Sequence, residues 1–149
     1  MDHIWKIVAL SVGGVVGVNA RYWLGHWINQ WANPKFPWAT FTINVTGSFG
    51  IGFLTIVLAR WLPHPNGKLL LVTGVLGGYT TFSAYSFEAL ALWERGDRCY
   101  AATYVAGSVL AGLIAVTLGV LLARAVAPEV DQRGIVIASG PGPGEEGRV

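Results

Sequence analysis

Gly77-Gly78-Tyr79-Thr80-Thr81-Phe82-Ser83-Ala84-Tyr85 decides how this chain folds. It lies inside an apolar segment, from about Leu69 to Trp93, that is long enough to cross a bilayer. Glycine and β-branched threonine both weaken a helix. Two glycines and two threonines here predict a break in that helix near 77–81. In hydrocarbon, freed backbone groups are tolerated only where they find partners or line a polar cavity. The break therefore points to an ion or substrate site.

Three similar segments surround it, from about Ile4 to Ile28, Trp38 to Leu62 and Tyr100 to Ala125. At about 25 residues, each makes roughly 37 Å of straight helix, against a hydrocarbon core of about 30 Å. The expected fold is an all-α integral membrane protein with four transmembrane helices, the third broken. The connections Asn33-Pro34-Lys35-Phe36-Pro37, Pro63-His64-Pro65-Asn66-Gly67-Lys68 and Glu94-Arg95-Gly96-Asp97-Arg98 are short and hold the turn residues. Most of the seven tryptophans fall near span ends, as in an interfacial aromatic belt. The first span contains Asn19 and Arg21 and is too long for the apolar core of a cleaved signal peptide. Residues 1–126 are expected to form one four-helix transmembrane domain. Residues 127–149, rich in Gly, Pro, Glu and Arg, read as a disordered tail.

Composition agrees. Of 149 residues, 53% are hydrophobic and only 12% charged, against roughly 25% charged in an average soluble domain. Mean hydropathy is +0.51. A net charge of +2, spread along the chain, gives no footprint for nucleic acid. The single cysteine, Cys99, excludes an intramolecular disulfide and any multi-cysteine metal site. There is no HExxH, Walker loop or Cys/His cluster, and His3, His26 and His64 are scattered. Enzymatic chemistry is not expected.

Four spans put both termini on one side. Lys6, Arg60, Lys68, Arg124 and Arg133 fall on that side, and Lys35, Arg95 and Arg98 on the other. This weak bias fits cytoplasmic termini, and equally a chain that inserts both ways and pairs antiparallel.

Several polar residues within the spans have two readings. Thr40, Asn44 and Ser48 repeat every four residues and share a helix face. They either join helices by hydrogen bonds or, through the two N–H donors of Asn44, serve a desolvated anion. On the first span Gly13, Gly17, Arg21 and Gly25 share a stripe. Arg21 either snorkels to the interface or concentrates anions at a pore mouth. Phe82 and Tyr85 share a face with Glu88. They are packing aromatics or positive ring edges beside an anion path. Glu88 sits in a watery vestibule or pairs with a cation. On the fourth span Gly107, Ala111, Ala115 and Gly119 make a small-residue packing stripe. Tyr104 and Ser108 either add hydroxyls to a pathway or satisfy one another.

Three motifs carry a family resemblance. Gly-Gly-Tyr-Thr-Thr-Phe-Ser-Ala-Tyr-Ser at 77–86, Thr-Phe-Thr-Ile-Asn-Val-Thr-Gly-Ser-Phe at 40–49 and Gly-Val-Asn-Ala-Arg-Tyr at 17–22 resemble the Fluc (CrcB-like) fluoride channels. The resemblance covers about residues 4–125 and excludes the tail. It implies a passive, fluoride-selective channel in a bacterial cytoplasmic membrane that drains fluoride from the cell. It also implies an antiparallel, dual-topology homodimer with two anion pathways and a central structural sodium ion (Na+).

By the same resemblance, Asn44 donates to fluoride and Phe82 and Tyr85 are the paired pore aromatics. Thr81 and Ser83 supply hydroxyls, Tyr104 and Ser108 form a polar track, and Arg21 and Glu88 stand at the vestibule. The backbone carbonyls of Gly77 and Thr80 hold the sodium. Tyr85 stands where phenylalanine is usual, and Gly112 where a further hydroxyl is often found. Two other classes compete with the channel: a dual-topology small-molecule cation exporter dependent on Glu88, and a non-transporting membrane scaffold.

Overall fold

A computed structural model describes residues 2–61 and 65–127. Residues 62–64, and the expected tail from residue 128 onward, lie outside the described residues. The described chain is all helical. Helix α1 spans Asp2–Trp31 and α2 spans Trp38–Trp61. A second helical run covers 65–79: α3 (Pro65–Lys68), a π-helical segment (Leu69–Leu76) and α4 (Gly77–Tyr79). After two non-helical residues come α5 (Phe82–Glu94) and α6 (Arg98–Val126).

The punctuation acts where the sequence places it. Pro34 and Pro37 hold the α1–α2 connection, and the Pro37 carbonyl accepts from Phe41 N–H at 3.1 Å. Gly96, with φ 84°, closes α5 in the left-handed conformation and lets Asp97 N–H turn back to Leu92 O at 3.0 Å.

Among the described residues three helices are long and apolar enough to cross a membrane: His3–Trp31, Trp38–Trp61 and Arg98–Val126. The segment expected as the third span is not one such helix, because it is interrupted. All seven tryptophans are exposed, and valines and leucines of α1 and α6 face outward along much of their length. Surfaces of that kind suit lipid rather than water.

Two helix pairs make up most of the packing: α2 with α6, and α1 with the 65–79 run. Both close on glycine. A Cβ at Gly52 would strike the Val116 carbonyl, and one at Gly119 the Phe49 carbonyl. A Cβ at Gly17 would strike the Val75 carbonyl, and one at Gly13 the Leu70 carbonyl. Of the expected α6 stripe, Ala115 and Gly119 are buried, whereas a Cβ at Gly107 would meet nothing within 4 Å. A small core of Leu92, Ala101 and Tyr104, flanked by Phe36, Phe41, Tyr85 and Ala89, ties α5 to α6 and the α1–α2 connection.

The π-helical segment had no counterpart in the sequence reading. Its last turn closes with Gly77 N–H on Val72 O, five residues back. Such segments are rare and occur often at functional sites.

Candidate functional site

The site begins at the break. Gly77 to Tyr79, expected as part of it, remain helical. The chain leaves the helix at Thr80 (φ −81°, ψ 157°) and Thr81 (φ −150°, ψ 115°), both extended. Threonine accepts this conformation readily because its branched Cβ favours the β region. Thr80 stays tied to the preceding turn, its N–H and its hydroxyl each 3.0 Å from Leu76 O. Thr81 caps the next helix, its Oγ1 accepting from Ala84 N–H at 3.2 Å.

Asn44 holds the gap. In an unbroken helix Thr81 N–H would bond Gly77 O. Here it donates to Asn44 Oδ1 at 2.9 Å, while Asn44 Nδ2 donates to Thr81 O at 3.0 Å. One side-chain amide thus replaces both helical partners of a backbone unit inside an apolar environment. Each bond contributes about 1 kcal/mol net, and loss of one partner costs about 1–3 kcal/mol through the group left unpaired. Asn44 keeps one N–H uncommitted by this pair. Arg21 reaches the break from α1, with Nη1 3.3 Å from Thr80 O. Its side chain reaches the broken backbone.

Two cavities flank the break, and Thr81 lines both. The smaller, about 280 Å³, is lined by Asn44, Ser48, Thr80, Thr81, Phe82, Tyr85 and Ser108, among others. The larger, about 590 Å³, is lined by Arg21, Tyr22, His26, Asn29, Thr40, Thr81, Ser83 and Glu88, among others. The expected residues therefore fall into two sets: Asn44, Phe82, Tyr85 and Ser108 on one side, and Arg21, Ser83 and Glu88 on the other.

In the smaller cavity the Phe82 and Tyr85 ring centroids lie 5.6 Å apart with planes tilted by 40°, so the pair is not a parallel stack. Phe82 is 79% exposed in the single chain, a large apolar surface at the mouth of a polar site. The Tyr85 hydroxyl donates to Val105 O at 3.3 Å, which anchors the ring to α6. Ser48 donates to Asn44 O at 2.8 Å. Its Oγ lies 3.5 Å from where a Cβ on Gly112 would stand, so the glycine leaves that hydroxyl room. Among the described residues Ser108 Oγ is buried without a hydrogen-bond partner. Buried hydroxyls are usually satisfied, and an exception beside a cavity is a place for a guest acceptor.

Glu88 is held by hydroxyls. Thr40 Oγ1 donates to Oε1 at 2.8 Å and Tyr104 OH to Oε2 at 2.7 Å. Among the described residues no cation pairs with it. Tyr104 is fully buried, with its ring 5.2 Å from that of Tyr85. Tyr104 and Ser108 do not satisfy one another. Tyr104 lines neither cavity and instead links the aromatic pair to Glu88.

The sequence reading placed Thr40 on the Asn44 face but not in the site. Its four-residue spacing from Asn44 was the available signal. Asn29 and Tyr22 carried none, since their place in the lining of the larger cavity is set by tertiary packing.

The break also bears on a cation. Asn44 takes the donor that would have occupied Gly77 O, and Gly77 is exposed with open space where a side chain would be. Thr80 O carries the Arg21 bond but retains a second lone pair. Among the described residues no group of three or more His, Cys, Asp or Glu could hold a metal. Carbonyl oxygens such as those of Gly77 and Thr80 are hard ligands of the kind an alkali cation takes.

Residues 8–120 match the family model described as CrcB-like protein, Camphor Resistance (CrcB). The chain belongs to the CrcB-like family. It is 44% identical over 127 residues to the fluoride-specific ion channel FluC of Rhizobium meliloti (strain 1021), covering 85% of this chain and 99% of that protein. The FluC protein of Nitrobacter winogradskyi is 42% identical over 121 residues, covering 80% and 96%. That of Chloroflexus aurantiacus (strain J-10-fl) is 43% identical over 120 residues, covering 80% and 95%. The matched region takes in both helix pairs, the break and both cavities. As a family member with three membrane-length apolar helices, this is a multi-pass membrane protein.

Proposed function

We propose that this CrcB-like protein is a fluoride-selective passive ion channel that releases fluoride from the cytoplasm across a bacterial cytoplasmic membrane. It carries out transport and no enzymatic chemistry. The observation that carries the reading is the Asn44-held break, with an unpartnered Ser108 hydroxyl and the Phe82–Tyr85 pair on one side and Arg21 on the other. The relatives named as fluoride-specific channels supply the identity of the ion.

Fluoride is small and strongly hydrated. A path that passes it must replace its water with donors at close range without holding it too tightly. The free N–H of Asn44, the hydroxyls of Ser108, Thr81 and Ser83, and the ring edges of Phe82 and Tyr85 are such donors. Arg21 offers positive charge at the break. Glu88 lines the larger cavity, and Tyr104 donates to it from the side of the aromatic pair.

In this reading the interrupted segment 65–94 is the third of four crossings. Two copies pair antiparallel, covering Phe82 and Gly77 and forming two anion pathways. A structural sodium ion would be held between the copies by the carbonyls of Gly77 and Thr80, and its charge would favour anions nearby. The test is ion efflux from proteoliposomes of purified protein, followed with a fluoride electrode and with chloride as control. Fast fluoride loss with retained chloride is the expected result. Retention of both ions by a confirmed dimer in sodium would refute the channel.

A further inference from the structure

A third cavity, about 430 Å³, opens where the α1–α2 and α5–α6 connections meet. Its lining includes Asn33, Lys35, Phe87 and Arg95, and it shares Asn29, Pro37 and Glu88 with the larger cavity beside the break. Asn33 Oδ1 accepts from Lys35 N–H at 2.9 Å, which shapes the loop that carries the lysine. Lys35 and Arg95 are both exposed, and among the described residues no carboxylate pairs with either. Arg98, by contrast, lies over the Trp93 ring at 5.3 Å and is not part of this lining.

The charged side chains of the two linings are Lys35 and Arg95 in the one, Glu88 in both, and Arg21, whose guanidinium reaches the break, in the other. Glu88 alone would repel an anion moving inward. Its two oxygens are engaged by the neutral hydroxyls of Thr40 and Tyr104, so it forms no contact ion pair with Lys35 or Arg95, and its single charge is set against their two. A cleft with apolar walls focuses the field of such charges and raises the local concentration of the opposite ion.

We infer that Lys35 and Arg95 form a cationic antechamber that captures anions from water and offsets Glu88 on the way to the break. The inference rests on the channel reading and adds to it the residues that set the rate of capture. The two cations act at a distance, as a concentrating field, and not as ligands in the narrow path.

The field is tested through its screening. The Debye length is about 30 Å at 0.01 M ionic strength and about 3 Å at 1 M. Initial fluoride efflux is measured at low fluoride and fixed sodium, with ionic strength set by potassium isethionate. Wild type is compared with the Lys35→Gln/Arg95→Gln double variant. The double variant is expected to be slower by about threefold to tenfold at 0.01 M and to match wild type at 1 M. Lys35→Arg/Arg95→Lys, which keeps both charges, is expected to match wild type throughout and guards against a folding defect. Equal rates for wild type and the double variant at 0.01 M would overturn the inference, as would a deficit that persists unchanged at 1 M. If wild type itself releases no fluoride at either ionic strength, the channel reading fails and takes the inference with it.

Discussion

Two helix pairs in this molecule are built by the same device and put to different uses. In α2–α6 and in α1 with the 65–79 run, glycine lets one backbone lie directly on another. The first pair remains two uninterrupted helices and, at Gly52 and Gly119, spends the contact on packing, while Asn44 of α2 and Ser108 of α6 line the smaller cavity elsewhere along it. The second brings Arg21 and the broken backbone at Thr80 and Thr81 together. A small-residue stripe therefore says that two helices touch, not why they touch. The cue that separates the cases is polar: Asn44 faces a gap in the helical ladder, whereas nothing in the α2–α6 contact at Gly52 and Gly119 needs a hydrogen-bond partner.

The largest expected effect comes from refilling the close contact on the functional pair. In Gly17→Ala the new Cβ meets the Val75 carbonyl and comes within 2.9 Å of Tyr79 N, and neither backbone group can rotate away. Overpacking of this kind costs about 1–3 kcal/mol or more. Thermal unfolding in detergent is expected to show a clear loss of stability, with fluoride efflux near background. Gly107→Ala meets nothing within 4 Å and is expected to stay within about 0.5 kcal/mol of wild type. Equal behaviour of the two variants would break the distinction between the buried stripe and the open one.

A middle-sized effect is expected at Glu88. Thr40→Val removes the donor 2.8 Å from Oε1 at nearly constant volume. An unsatisfied carboxylate oxygen is expected to slow fluoride efflux by about tenfold, with the rate restored in Thr40→Ser. Unchanged efflux in the valine variant would mean that Glu88 does not need its hydroxyl partners for function.

The smallest effect is expected at Tyr85, where the family resemblance implies a phenylalanine. Tyr85→Phe removes a long bond of 3.3 Å to Val105 O and leaves the tilted ring pair otherwise intact. A neutral hydrogen bond contributes about 1 kcal/mol, so efflux is expected to change by no more than about fivefold. A larger drop would show that the hydroxyl itself contacts the ion.

Much of this was legible in the residues. Apolar length gave the three continuous crossings to within a few residues, because hydrocarbon demands unbroken runs and prolines mark where they stop. The weak helix formers at 77–81 announced a break, but not that Gly77 to Tyr79 stay helical while Thr80 and Thr81 carry the extension. Glycine merely permits departure from a helix, whereas Asn44 actively rewards it at Thr81 by bonding both backbone groups. Asn44 was singled out for its donors, yet its partner lies 37 positions away and only packing reveals it. The roles of Arg21 and Glu88 had been left open for the same reason: whether a charge at a helix end meets water, lipid or another helix is decided in three dimensions. The π-helical segment left no recognisable cue, since its residues are ordinary helix-compatible apolar ones.

The most direct test of the account is side-by-side fluoride and chloride efflux from proteoliposomes containing wild type or Asn44→Asp. The aspartate can still accept from Thr81 N–H, but it faces the Thr81 carbonyl with an acceptor and places an uncompensated charge beside the anion path. The account predicts rapid fluoride loss without chloride loss from wild type, and fluoride efflux lower by about a hundredfold or more from the variant. Undiminished fluoride efflux from correctly folded Asn44→Asp would contradict it.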